Sequence, residues 1–72
     1  MSHEQAVLLQ KRHEVHLMSL PGVTAVSVVL RDEALVLEVS VDPDAALAAE
    51  LTELIDLDGL PVHVVRQRYK PL

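Results

Sequence analysis

A chain of 72 residues, half of them apolar, is one small globular domain over residues 1–72, and its balance argues against disorder. It has no Cys, Phe, Trp or Asn, and Tyr69 is its one aromatic residue, which excludes disulfides, thiolate metal sites, a cysteine nucleophile and a platform for stacking bases. The net charge of −5 is uneven: residues 32 to 65 hold nine carboxylates and no Lys or Arg, and Arg66, Arg68 and Lys70 follow, a distribution that speaks against nucleic-acid binding. Two explanations of it stand: a solvated acidic body with a loose end, or a dipolar molecule whose basic tail meets an acidic partner. No apolar run approaches the ~18 residues of a spanning helix and no signal peptide is visible, so no membrane partner and a cytoplasmic location are expected.

Residues 3 to 19 read as a helix. They lack Gly and Pro, are rich in residues that lose little rotamer freedom in a helix, and follow Ser2, a good cap. At 100° per residue this helix carries two apolar stripes. One holds Ala6, Leu9, Leu17 and Leu20 with His13 among them; the other holds Val7, Leu8, Val15 and Met18 with Lys11 between. Two stripes mean either contacts on two sides or a frayed start with exposed apolar residues.

Pro21-Gly22 then opens two strands, 23 to 30 and 34 to 41, rich in β-branched residues and joined by a gap of hairpin length. Alternation turns Thr24, Val26, Val28 and Leu30 of the first strand to the core, and Ala25, Ser27 and Val29 away. In the second it turns Leu35, Leu37, Val39 and Val41 inward and Val36, Glu38 and Ser40 outward. Residues 43 to 57 read as a second helix, with Asp42 as N-cap, Pro43 at the first helical position, Leu47, Leu51, Leu54 and Ile55 as its stripe, and Gly59 as its stop. A last strand over 62 to 69 points Val62 and Val64 inward, with His63, Val65, Gln67 and Tyr69 on the other face.

The expected architecture is a two-layer α+β domain, α-β-β-α-β, a truncated ferredoxin-like fold. Its three-stranded sheet has the order 2-1-3, with both helices on one face. The other face then exposes Ala25, Val29, Val36, His63 and Val65, an apolar surface meeting water. That predicts a non-catalytic interaction or self-association module, with a homodimer or an unidentified protein partner closing over those residues.

The stretch Leu17-x-x-Leu20-Pro21-Gly22-Val23-x-x-Val26-x-Val28 resembles the helix-to-strand junction of heavy-metal-associated domains. A hairpin, Val41-Asp42-Pro43, a helix and Gly59 before a final strand follow in the same order, over residues 6 to 66. The resemblance implies a ferredoxin-like fold. The first strand of that family is missing here, and its metal-binding Cys-x-x-Cys falls on Ala6 and Leu9, which cannot bind Cu(I) or Zn(II). Lys11-Arg12-His13, Leu17-Met18-x-Leu20-Pro21-Gly22-Val23 and Gly59-Leu60-Pro61-Val62 also resemble a small bacterial α-β-β-α-β domain that occurs alone or ahead of trypsin-like peptidase domains. Here the resemblance spans nearly the whole chain, lacks that domain's Gly-rich first-strand tail, and implies an accessory or regulatory role without catalytic residues.

Few constellations could carry chemistry. His13-Glu14-Val15-His16 is one residue short of His-Glu-x-x-His, whose i, i+4 spacing puts two imidazoles on one helix face. With His63 or His3 as third ligand, His13 and His16 could form a metal-responsive or metal-buffering site. The plainer reading has His13 half-buried beside the Leu9/Leu17 stripe and His16 solvated, with no cofactor bound. The carboxylate pairs Asp42/Asp44, Glu50/Glu53 and Asp56/Asp58 are explained by capping and solubility, and Asp56-x-Asp58-Gly59 is too short for a calcium loop. Ser19, Thr24, Ser27 and Ser40 sit in no nucleophile elbow. So small a core can hardly enclose a pocket of ~300–1,000 Å³, so no enzymatic activity is expected.

Overall fold

The computed structural model describes residues 1–66. Gln67, Arg68, Tyr69 and Lys70 lie outside the described residues, and with them the end of the expected last strand and most of the basic tail. The chain forms a small α+β domain with two helices and a mixed four-stranded sheet.

Helix α1 spans His3–Met18. Ser2 caps it through a reciprocal pair: Gln5 N donates to Ser2 Oγ at 3.2 Å, and Ser2 N donates to the Gln5 side chain at 3.0 Å. Ala6 and Leu17 are buried, and Leu9 and Leu20 pack against the core. Gln10, on the same side, donates its amide to the Val26 carbonyl at 3.0 Å and ties the helix to the sheet. The helix ends where Pro21-Gly22 turns the chain, with Gly22 at φ +86°.

Strands β1 (Val23–Arg31) and β2 (Ala34–Val41) form an antiparallel hairpin. Its two-residue turn, Asp32-Glu33, has both residues left-handed, at φ +50° and +66°. The inward sets of β2 and of Val26 and Val28 are as alternation requires. Thr24 departs from it. An irregularity between Val23 and Ala25 shifts the register there, so Thr24 is exposed and its hydroxyl donates to the Ser40 carbonyl at 3.2 Å. Leu30 lies near the free end of the hairpin and is also exposed.

The long second helix is not formed. Only Ala49–Thr52, α2, is helical, and its cap Ala48 makes no side-chain bond. Asp42 uses its carboxylate to accept from Asp44 N at 2.9 Å, and Ala45 N donates to the Asp42 carbonyl at 3.1 Å, closing a turn instead of starting a helix. The Arg66 guanidinium then donates to the Pro43 and Ala45 carbonyls at 3.0 and 3.4 Å. A helix would need those carbonyls for its own i+4 N–H groups. Leu51 still reaches the core, and Leu47 and Leu54 pack against it, but Ile55 is 79% exposed. Gly59 stops no helix. Asp58 and Gly59, at φ +50° and +90°, form the turn between β3 (Asp56–Leu57) and β4 (Leu60–Arg66). Asp-Gly between apolar residues is a strong hairpin signal.

The strand order is β1-β2-β4-β3, with β2 and β4 adjacent and parallel. The parallel relation of the second and last main strands is as expected; the order 2-1-3 is not. The most deeply buried strand is β2, where Val36, Leu37, Val39, Ser40 and Val41 are all buried, and such a strand belongs in the middle. One core cluster joins Ala6 and Leu17 of α1, Val26, Leu37, Val39, Val41, Leu60 and Val62 of the sheet, and Leu51 of α2.

Candidate functional site

The sheet face opposite this cluster is where the sequence placed an interface. Register puts Ala25, Ser40 and Val65 in one row, Ser27, Glu38 and His63 in the next, and pairs Val29 with Val36. All five expected residues therefore share this face. They differ in exposure: His63 is exposed, Ala25, Val29 and Val65 are half-buried, and Val36 is only 4% exposed. Ser40 is buried too. The cause is the strand order. A central β2 has neighbours on both sides, so its outward residues are flanked twice. The middle of the face is also charged, because the Arg31 guanidinium donates to the Glu38 carboxylate at 2.5 Å, with the Glu38 side chain largely shielded.

The histidines are divided by the sheet. His13 Nε2 lies 3.4 Å from Asp58 Oδ2, and His16 Nε2 lies 2.6 Å from Glu50 Oε1. Each imidazole thus links α1 to the segment between β2 and β4. His63 stands on the other face, beside Glu38 in the register. His3 is exposed at the start of α1. Among the described residues, no three His, Cys, Asp or Glu side chains are grouped so as to hold a metal ion. The carboxylates have local work instead: Asp42 in its turn, Asp56 accepting from Gly59 N at 3.1 Å, and Glu50 and Asp58 beside the histidines.

The hydroxyls are likewise in structural roles, Ser2 as cap, Thr24 on the Ser40 carbonyl and Ser19 donating to the His16 carbonyl at 2.5 Å.

The second apolar stripe of α1 faces water, apart from the half-buried Val7. Leu8 is 67%, Val15 81% and Met18 42% exposed, and Met1 is exposed beside them. The helix start is capped, so this exposure does not come from fraying. Of the six exposed large apolar residues among those described, three lie on this line and Met1 precedes the helix; Leu30 and Ile55 are elsewhere. At its N-terminal end the line borders an open groove of about 460 Å³ lined by Met1, Gln5, Leu8, Leu9, Arg12 and Asp58. Sequence reasoning missed this groove, because it needs the Asp58-Gly59 turn beside the helix, a long-range placement without a local signal. No helix of the described residues is long and apolar enough to cross a membrane. No family model matches the chain, and no curated protein or solved structure matches it either.

Proposed function

We propose that this domain is a non-catalytic protein-interaction module whose contact surface is the outer side of α1. The observation that carries the reading is the concentration of Leu8, Val15 and Met18 on the side of the helix turned away from the core, with the exposed Met1 just before its start. Exposed apolar residues gathered on one side of a folded domain mark contact sites more than singly scattered ones do. The sheet face offers less, since its central residues Val36 and Ser40 are already shielded and Glu38 is ion-paired there. Covering it would desolvate a carboxylate for little apolar gain.

A photo-cross-linking side chain at position 15 tests this in extract of the cells that make the protein, with position 55, equally exposed but off the stripe, as the control. A discrete adduct from position 15, absent from position 55 and lost when Leu8→Glu is added, is expected. Equal labelling from both positions would refute the reading.

A further inference from the structure

The stripe has a regular spacing that names its partner. Glu4, Leu8, Lys11, Val15 and Met18 of α1 follow one another at intervals of 4, 3, 4 and 3 residues. Glu4 and Lys11 are exposed, as are the three apolar members. This is the a/d line of a heptad, the pattern by which one helix packs along another. It lies opposite Ala6, Leu9, His13 and Leu17, which turn toward the sheet. Helix α1 therefore has an inner face spent on its own core and an outer seam shaped for a second helix.

The two charges on the seam select the occupant. In a parallel in-register pair, Glu4 would meet Glu4 and Lys11 would meet Lys11, two like-charge layers. In an antiparallel pair whose two-fold axis passes between Leu8 and Lys11, Leu8 lies against the Lys11 stem of the second copy. Glu4 lies level with Val15, and Met18 reaches just past the start of the second copy's helix. Lys11 then stands one helical turn, about 6 Å, from Glu4 of the second copy, within reach of its long side chain. The same contact is made twice. A two-fold interface must be self-complementary, and this seam is. Met18 of the second copy also arrives at the groove lined by Met1 and Leu8.

We propose that the chain pairs with a second copy of itself through an antiparallel α1–α1 contact; the proposal rests on the reading of α1 as the contact surface. With 16 helical residues the contact is about 24 Å long. A seam of that length and one helix wide, about 10 Å, covers far less than the ~1,600 Å² of a standard interface, so the dimer is a weak one that forms as concentration rises.

Sedimentation equilibrium from about 10 μM to about 0.5 mM measures it. The parent should pass from monomer to dimer, and Val15→Glu should remain a folded monomer throughout, with unchanged circular dichroism. Lys11→Glu should weaken the dimer at least about tenfold, and adding Glu4→Lys to it should recover most of that loss. The chain has no Cys, so orientation can be read directly. On oxidation, Glu4→Cys mixed with Val15→Cys should give the mixed disulfide, and Val15→Cys alone should not. A parent monomeric at about 0.5 mM, a dimer indifferent to Val15→Glu, or ready cross-linking of Val15→Cys to itself would each overturn the proposal. If the parent is monomeric while position 15 still yields an adduct of another mass in extract, the partner is a different protein and only the self-pairing fails. If position 15 yields no adduct as well, the interaction reading fails with it.

Discussion

Gly22 and Ala45 touch so closely that a Cβ added to Gly22 would stand 2.6 Å from the Cβ of Ala45. The contact seats the loop after β2 on the turn that ends α1. Asp42 N donates to the Gly22 carbonyl at 2.8 Å in the same place. Gly22 is also at φ +86°, where an L side chain is strained. Gly22→Ala should therefore combine strain with overpacking and cost ~2–4 kcal/mol. Gly59 has a similar φ but open space around it, so Gly59→Ala should lose only the strain component, ~1 kcal/mol. Thermal melts compare the two directly, and equal losses would mean that the Ala45 contact relaxes freely.

The hairpin between β1 and β2 turns through Asp32 and Glu33, both left-handed. Asp tolerates that conformation and Glu does so less well. Glu33→Gly should raise stability by ~0.5–1 kcal/mol, and with it the melting temperature by several degrees for a domain of this size. A lower melting temperature would show that the unfolded chain's added freedom outweighs the strain relieved.

Leu51 is completely buried although its helix is a single turn, and Ile55, four residues on, is exposed. Leu51→Ala should cost ~2–5 kcal/mol. Against the ~5 kcal/mol held by a small domain, that leaves the variant largely unfolded by circular dichroism. Ile55→Ala should stay within ~0.5 kcal/mol of the parent. A regular helix over 43 to 57 would place both on one stripe and make both substitutions costly, so the pair separates the two structures of this segment.

Val36 lies on the outward face of β2 yet is 4% exposed. Val36→Glu would shield a carboxylate two residues from Glu38 on the same face, and should cost ~1–3 kcal/mol, read as a lower urea midpoint. The exposed His63 on that face should accept Ala at little cost. A Val36→Glu variant as stable as the parent would show that the face is open, and would restore it as the contact surface.

Zinc titration bears on the histidines. His13 and His16 each face a carboxylate, and His63 is across the sheet. Calorimetry should show weak, non-stoichiometric zinc binding that His16→Ala leaves unchanged. A saturable one-to-one isotherm abolished by His13→Ala or His16→Ala would overturn this.

What the sequence determined alone is what neighbouring residues decide. Ser2 and Gln5 cap α1 within one turn. The alternation in residues 34 to 41 turns the same side of β2 to the core wherever that strand sits in the sheet. Gly59 reads as the stop of a helix over 43 to 57, and the Asp58-Gly59 pair serves as a hairpin turn instead because that helix does not form. Only the tertiary structure decided the rest. The caps and leucine spacing of residues 42 to 57 favour a helix, but Arg66, more than twenty residues away, takes the Pro43 and Ala45 carbonyls. Propensity of a few tenths of a kcal/mol per residue yields to such contacts. Strand order was likewise undetermined, because which strand pairs with the last one depends on contacts between segments far apart in sequence. That order made Val36 a shielded residue. The two stripes of α1 are equivalent as periodic patterns, and only docking on the sheet turned Leu17 inward and left Leu8 and Val15 in water.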